Sequence, residues 1–271
     1  MFRLESFSAQ PLPSGQMNLW WMGQMGYIVK AGNTTVSIDY FASPGPSRQV
    51  PPLIPAAELQ GIDAFFGTHN HGDHMDMRCW RIWKDTCPQA KFVFPAAHLS
   101  DVLALGIDES RCVPLNDGDT AVIGDLTVHA IAAAHEFLDQ NPETGYYPAL
   151  QYILEYDGMR VYHAGDTLRY EGMLAKLKAL GPFDAAILPI NGRDAERYSR
   201  NCIGNMTFQE AVDLAGELEP RLALPGHWDM FSANSADPHA FQDYMAVKYG
   251  GNIECRIPEY GRLIVLSRAF S

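Results

Sequence analysis

The sequence of 271 residues lacks long apolar runs and lacks clusters of basic residues. A membrane span needs about 18 consecutive apolar residues, which no segment supplies, and residues 1–16 contain no apolar core of a signal peptide. Lysine and arginine number 20 against 32 acidic residues, a formal charge of −12. Because nucleic-acid binding needs clustered basic side chains, this balance disfavours nucleic acid as a partner. We expect a cytoplasmic protein with a small-molecule substrate and no membrane partner. A homo-oligomer is possible on this basis.

Paired cysteine motifs and low-complexity tracts are missing as well. The five cysteines are scattered and none forms a Cys-x-x-Cys pair, which argues against a disulfide framework and a zinc ribbon and predicts reduced, mostly buried thiols. Hydrophobic residues make up 47% of the chain and charged residues 19%, so a large core can form. We predict one domain over residues 1–271, since layered α/β folds of this length are often undivided.

Strand patterns outnumber helical patterns in this sequence. β-Branched and aromatic runs predict strands at residues 18–29, 34–39, 64–67, 91–94, 126–132, 151–156, 160–163, 185–188, 221–224 and 263–266. Helices are predicted at residues 75–84, 98–105, 170–179, 208–218 and 238–249. Asp157-Gly158 is typical of a hairpin turn, and Thr207 with Glu210 is typical of a helix capping box. The mixture predicts an α/β fold of four layers, an αββα sandwich in which helices flank two mixed sheets.

The most informative segment is F-F-G-T-H-N-H-G-D-H-M-D at residues 65–76. An apolar strand leads there into four side chains that bind metals, and such a group is costly to bury unless a cation organises it. His69 and His71 share one face of an extended chain, while Asp73 and His74 follow in the bend and can point to a second ion. One loop can therefore supply ligands to two metal ions.

Further candidate ligands follow other predicted strands. They are His135, Asp166 in H-A-G-D-T at residues 163–167, and His227 in P-G-H-W-D at residues 225–229. Each catalytic metal ion needs about three protein ligands and an open position, so these residues would complete two sites. The remaining histidines have no such neighbours and are interpreted as core or surface residues; they are His98, His129, His163 and His239.

The pattern His-x-His-x-Asp-His, with a distant His, a Gly-Asp-Thr turn and a last His, resembles the metallo-β-lactamase superfamily of dinuclear hydrolases. The resemblance implies the αββα fold and a site at the sheet edges. It further implies that His69, His71 and His135 hold one metal, that Asp73, His74 and His227 hold the other, and that Asp166 bridges both. Without a thiolate in the set, the two divalent ions are expected to be Mn²⁺ or Zn²⁺.

Within that superfamily, W-W-M-G-Q-M-G at residues 20–26 and four further segments resemble the L-ascorbate-6-phosphate lactonase branch. The four segments are residues 68–76, 162–166, 205–207 and 225–229. The chain departs from the lactonases in a shorter N-terminal part and in residues 133–148, which contain His135. The diiron reductases of the superfamily have a glutamate where this chain has His71, which favours hydrolysis over redox chemistry.

The resemblance implies a lactonase in which a hydroxide formed at the two metals attacks a lactone carbonyl, and Asp73 is the catalytic residue that orients it and takes its proton. A phosphorylated lactone would need a cation, for which Arg193 is the first candidate, with Asn191 and Trp228 as further substrate contacts. The ordinary alternative for Arg193, which charged loops favour, is a solvated surface arginine that pairs with Asp194 or Glu196. Two alternatives stay open: a phosphodiesterase acting on a small phosphodiester, and a metal-binding protein without catalysis.

Overall fold

Fourteen strands, six α-helices and short 3-10 turns make up the described part of the chain, residues 10–202 and 204–268 of a computed structural model. The first sheet contains β1 (Gln16–Gly23), β2 (Gly26–Ala31), β3 (Thr34–Ile38), β4 (Ala64–Phe66), β5 (Lys91–Pro95), β6 (Cys112–Leu115) and β14 (Leu263–Ser267). The second sheet contains β7 (Thr120–Ile123), β8 (Leu126–Ala132), β9 (Leu150–Tyr156), β10 (Met159–His163), β11 (Ala185–Pro189), β12 (Leu222–Gly226) and β13 (Glu254–Cys255). The helices are α1 (Met77–Thr86), α2 (Leu99–Leu103), α3 (Met173–Leu180), α4 (Ala195–Ser199), α5 (Phe208–Leu218) and α6 (Pro238–Tyr249).

The central strands are buried on both faces, and alternate residues enter different layers of the core. In β9, Tyr152 and Leu154 pack between the two sheets, while Ile153 faces the helices on the outside. In β4, Phe66 packs between the sheets, while Phe65 faces α1, where it stacks on Trp83 at 4.6 Å. This two-sided burial explains the near-continuous apolar runs in the sequence. The predicted αββα sandwich with two mixed sheets is confirmed.

Most predicted elements are present, and the differences have local causes. The single strand predicted over residues 18–29 is wrong, because Gly23 and Gln24 have left-handed φ angles of 97° and 53° and turn the chain between β1 and β2. Strands β6, β7 and β13 and helix α4 were not predicted, since each has only two to five residues. The hairpin at Asp157-Gly158 and the capping box of α5 are confirmed.

All five cysteines are unpaired, as predicted. Only Cys79 and Cys87 are buried, so the expectation that most thiols are buried is wrong. Across residues 10–202 and 204–268, no helix is long and apolar enough to cross a membrane.

Strand direction brings several loops to one edge of the sandwich. In the second sheet β10, β11 and β12 are parallel, and β8 runs the same way because β9 is antiparallel to both β8 and β10. The loop after β4, in the first sheet, lies at the same edge as the loops that follow these strands. It is connected to β9 of the second sheet, because the Leu150 N–H donates to the Thr68 carbonyl at 2.9 Å. Carboxyl ends of parallel strands are the usual place for ligand sites in such sheets. The loops that carry the predicted metal ligands therefore meet at this edge.

Gly67 permits close packing directly before the histidine-rich loop. A Cβ atom at this position would lie 2.1 Å from Cγ of Met75, which is fully buried. We expect Gly67→Ala to lower the free energy of unfolding by about 1–3 kcal/mol, because an overpacked core must shift to accept the methyl group. Urea denaturation measures this loss. The matched control is Gly72→Ala, where no atom lies within 4 Å of the added Cβ and the change should stay within about 0.5 kcal/mol. Equal effects of both substitutions would contradict the packing argument.

Candidate metal centre

The structure brings all seven predicted metal ligands into one cluster. Three overlapping groups each have candidate ligand atoms within 4.8 Å of one another. The groups are His69, His71 and His135; His69, His74 and Asp166; and Asp73, His74 and His227. Because neighbouring groups share His69 or His74, the cluster is continuous and large enough for more than one ion.

A tight turn after β4 positions the first four ligands. The N–H groups of His74 and Met75 both donate to the His71 carbonyl, at 3.0 and 2.9 Å. This folds Asp73 and His74 back beside His69, whose ring centroid lies 4.2 Å from that of His74. His135 follows β8 and joins from the second sheet, with its Nε2 3.1 Å from Nδ1 of His71. Residues 133–148 therefore place His135 in the cluster, although they do not resemble the lactonases.

Asp166 and His227 close the other side of the cluster. Gly165, with a φ of 58°, lets the turn after β10 approach Thr68, where a Cβ would lie 2.9 Å from the threonine side chain. Asp166 then points one oxygen to Nε2 of His227 at 3.1 Å and the other to Nε2 of His74 at 3.3 Å. Its carboxylate thus lies between the histidine of the first loop and the one that follows β12.

The donor atoms of this cluster fit a bound cation. Among the candidate ligands, four buried atoms form no hydrogen bond with the described residues: Nε2 of His69 and of His74, Nδ1 of His135 and Oδ1 of Asp166. Of these, Nε2 of His74 and Oδ1 of Asp166 face each other at 3.3 Å. Buried polar atoms are normally hydrogen-bonded, so their convergence here calls for another partner. Imidazole nitrogens and carboxylate oxygens without a thiolate suit divalent first-row ions.

Three of the histidines favour the neutral form that binds metals. Burial lowers the pKa of His69, with further lowering by His74 and His135. Burial also lowers the pKa of His71, and it lowers the pKa of His135 to about 4. At neutral pH these rings present uncharged nitrogen lone pairs.

The carboxylates raise the pKa values of the other two histidines. Burial opposes a charge on His74 and on His227, yet Asp166 and Asp73 outweigh it and raise both pKa values, that of His227 to about 10. Burial likewise opposes ionisation of Asp73 and Asp166, and the two imidazoles outweigh it and lower the pKa of each carboxyl group. Both carboxylates therefore remain ionised and attract positive charge to the centre of the cluster.

Asp39 supports the cluster and was not predicted from the sequence. Its buried carboxylate accepts hydrogen bonds from the backbone and hydroxyl of Thr68, at 2.9 and 2.7 Å, and contacts Nδ1 of His74 at 2.7 Å. A carboxylate on one ring nitrogen fixes the tautomer and directs the other nitrogen to the metal. The available signal was an aspartate at the end of the apolar strand 34–39.

Gln24 is a second supporting residue that was not predicted. Its side-chain amide donates to Oδ2 of Asp73 at 3.0 Å. The backbone of Gln24 is held in its left-handed conformation because its N–H donates to Asp229 at 2.9 Å and its carbonyl accepts from the Trp21 indole at 3.0 Å. The motif W-W-M-G-Q-M-G at residues 20–26 contains this glutamine, but no role follows from the motif alone.

The three predicted substrate contacts lie outside the ligand cluster. Arg193 forms two hydrogen bonds to the Glu210 carboxylate, at 2.6 and 2.8 Å, and so is paired with neither Asp194 nor Glu196. Asn191 is buried and bonds through its side chain to the side chains of Asn234 and Asn205. Trp228 stacks on Trp21 at 5.1 Å and donates to the Pro225 carbonyl. The pairing of Arg193 with Glu210 satisfies the charge that a phosphate group would need.

The histidines interpreted as core or surface residues have structural partners. His98 contacts the Pro148 carbonyl, His163 contacts the Met25 carbonyl, and His129 contacts Glu155. His239 is exposed near the start of α6. None of the four belongs to the metal-ligand groups formed by the described residues.

Comparisons with known proteins agree with this geometry. Residues 34–228 match the family described as the beta-lactamase superfamily domain. The chain is similar to a protein of Escherichia fergusonii named "Probable L-ascorbate-6-phosphate lactonase UlaG", at 23% identity over 86% of this chain and 75% of that protein. A relative of the same name in Salmonella choleraesuis is 24% identical over the same shares.

Solved structures share the fold. Igni18, a metallo hydrolase from Ignicoccus hospitalis, matches with a TM-score of 0.74 and 22% identity, over 94% of this chain and 100% of that chain. CmlA, a diiron β-hydroxylase from Streptomyces venezuelae, matches with a TM-score of 0.68 and 17% identity, over 96% of this chain and 55% of that chain. A hydrolase and a hydroxylase thus have this fold in common, so the site and not the fold must decide the chemistry.

We expect Asp39→Asn to weaken metal binding by the cluster about 10–100-fold. The new amide would donate to Nδ1 of His74, which would move the ring proton to Nε2, the nitrogen that faces the cluster. Competition between the protein and a coloured chelator for Zn²⁺ measures the affinity. Asp63→Asn is the matched control, since the Asp63 carboxylate accepts the Thr35 N–H far from His74 and its loss should leave the affinity unchanged. An unchanged affinity in Asp39→Asn would show that Asp39 does not set the tautomer.

Proposed function

The chain belongs to the beta-lactamase superfamily, and from this membership we propose that it is a lactonase that depends on two divalent metal ions. Metal-dependent hydrolysis is the activity that the superfamily implies. The observation that supports the metal requirement best is the set of buried candidate ligand atoms on His69, His74, His135 and Asp166 that form no hydrogen bond with the described residues. Without a cation those atoms would be desolvated at a cost of about 1–3 kcal/mol each.

In this proposal the cluster holds the ions in two neighbouring sites, with Mn²⁺ or Zn²⁺ as the candidates. His69, His71 and His135 would bind one ion, Asp73, His74 and His227 would bind the other, and Asp166 would contact both. The lowered pKa values of the first three histidines and of the two carboxyl groups support metal binding by these five residues, because ligands bind metals in their deprotonated form. His74 and His227, whose pKa values are raised, would release a proton when the second ion binds.

Divalent ions held there would act as Lewis acids and would lower the pKa of a coordinated water from about 15.7 to about 7. Asp73 is then the residue placed to orient the water and accept its proton. Its Oδ2 is held by Gln24, while its Oδ1 has no donor in the described part of the chain. Asp73 is also less buried than Asp166, with 18% of its side chain exposed against 4%. We propose that Oδ1 of Asp73 accepts a hydrogen bond from the attacking water and receives its proton.

The proposed reaction opens a lactone ring. The water oxygen forms a bond to the carbonyl carbon, the ring C–O bond breaks, and the ring oxygen gains a proton and leaves as an alcohol. No serine or cysteine nucleophile is needed, since water is the nucleophile. The name of the relatives in Escherichia and Salmonella supports a lactone as the substrate class.

Titration of released acid at constant pH tests the proposed function. Protein reconstituted with Mn²⁺ or Zn²⁺ is offered sugar lactones, simple lactones and a small phosphodiester. We expect turnover of lactones that disappears after chelation and returns when the metal is restored. Turnover of the phosphodiester alone would replace the lactonase with a phosphodiesterase. Binding of metal without turnover of any compound would overturn the proposal.

We expect Asp73→Ala to lower kcat on a responsive lactone by about 10²–10⁴-fold, because the variant loses the residue that orients the water and accepts its proton. Metal content must be measured on the same sample by elemental analysis, since Asp73 is also a proposed ligand. Asp125→Ala is the control, because Asp125 is an exposed aspartate that contacts Asn33 and should leave kcat unchanged. Near-normal kcat of Asp73→Ala at full metal content would rule out this role.

A further inference from the structure

A pocket of about 320 Å³ lies beside the metal cluster and is not used by the mechanism proposed above. Its uncharged lining comes from Leu168, Ala195, Tyr198, Cys202 and Gly204, and the charged residues that line it are Glu136, Asp194 and Arg193. Ala195, Tyr198 and Cys202 come from α4 and the chain next to it, where no helix was predicted from the sequence. The size matches pockets that bind small molecules.

The pocket is directly connected to the elements that carry the ligands. Glu136 follows His135 in the chain, and Leu168 comes two residues after Asp166. The Leu168 N–H donates to the Ala134 carbonyl at 2.8 Å, which ties the two loops together at the pocket. Burial raises the pKa of the Cys202 thiol; Arg197 and Arg200 lower it, while Asp73 and Asp166 raise it, so the thiol lies within electrostatic reach of the cluster.

The charges around the pocket disfavour an anion. The guanidinium of Arg193 is held by the Glu210 carboxylate and also donates to the Asn205 carbonyl at 3.1 Å. The guanidinium of Arg197 donates to the carbonyls of Asn191 and Ser235 and pairs with Asp194. The Glu136 carboxylate has no cationic partner among residues 10–202 and 204–268. A phosphate placed here would meet carboxylates and only guanidinium groups that are already paired, those of Arg193, Arg197 and Arg200.

We infer that this pocket binds an uncharged, apolar part of the substrate, so that the preferred substrates are lactones or esters with an alkyl or aryl substituent and not phosphorylated sugar lactones. The inference rests on the proposed function for the reaction itself. It goes beyond that function by naming the part of the substrate, an alkyl or aryl substituent, that provides binding energy outside the lactone ring. It also excludes the phosphate contact expected at Arg193.

The first experiment measures binding without turnover. Metal-free protein reacts with a maleimide, and mass spectrometry follows the labelling of Cys202 and of Cys112, a partly exposed thiol on β6 outside the pocket. A γ-lactam with a hexyl substituent has the ring shape of a lactone but is not easily hydrolysed. We expect it to slow the labelling of Cys202 at least fivefold and to leave Cys112 unchanged, while the unsubstituted lactam protects neither. Equal labelling of Cys202 with and without the hexyl lactam would overturn the inference.

The second experiment measures specificity of the metal-loaded protein. Along a series of γ-lactones from unsubstituted to hexyl, kcat/KM should rise by about two- to fourfold for each methylene group until the pocket is filled. A phosphorylated sugar lactone should be at least tenfold poorer than the hexyl compound. A flat series, or a preference for the phosphorylated lactone, would overturn the inference while leaving lactonase activity intact. Protection of Cys202 without any turnover would instead support the pocket and reject the lactonase.

A substitution at the exposed start of α4 gives a matched test. Ala195→Lys narrows the pocket and adds a cation, so the ratio of kcat/KM for the hexyl lactone to that for the phosphorylated lactone should fall at least tenfold. Val247→Lys is the control, because Val247 is 87% exposed on α6 and does not line the pocket. An unchanged ratio in Ala195→Lys would contradict the assignment of this pocket.

Discussion

Five imidazoles and two carboxylates packed together at one sheet edge are the constraint on which the rest of the structure depends. Such a group is unfavourable inside a protein unless its charges are balanced and its donor atoms have partners. The protein meets the first requirement by placing Asp166 between His74 and His227. The requirement for hydrogen-bond partners is not met at four buried atoms of the candidate ligands. This is the arrangement expected of a centre that takes up a cation.

The surrounding backbone is strained where it supports this cluster. Seven non-glycine residues in the described chain have left-handed φ angles, and four of them are ligands, supports or neighbours of ligands: Gln24, Asp39, Glu136 and His227. Such conformations cost about 1–3 kcal/mol each and persist where other contacts determine them. Here hydrogen bonds with Asp229, Trp21 and Thr68 hold Gln24 and Asp39 in place. The stability of the two packed sheets thus offsets the free-energy cost of these strained conformations at a preorganised site.

Reaction and recognition are assigned to different parts of this edge. The strand ends of both sheets carry the candidate ligands, whereas α4, Cys202 and Gly204 contribute to the neighbouring pocket. Arg193 illustrates the separation, since it lines the pocket but its guanidinium is paired with Glu210 at the start of α5. A pocket of this kind can change its substrate without disturbing the ligand cluster, which fits the range of activities found on this fold.

The sequence by itself determined the four layers and the candidate ligand set, whose members the structure brings together. His69, His71, Asp73 and His74 are adjacent in the chain, so their chemistry is visible locally, and residues at strand ends can be located from hydrophobic runs. Only the tertiary structure decided three other features. These are the support of the cluster by Asp39 and Gln24, the contribution of α4 to the pocket, and the pairing of Arg193 with Glu210. Each of these depends on contacts between residues far apart in the chain, such as Gln24 with Asp73 or Arg193 with Glu210. Local patterns carry no information on which distant side chain will neutralise a charge, because that choice is made when the two sheets pack and their loops meet.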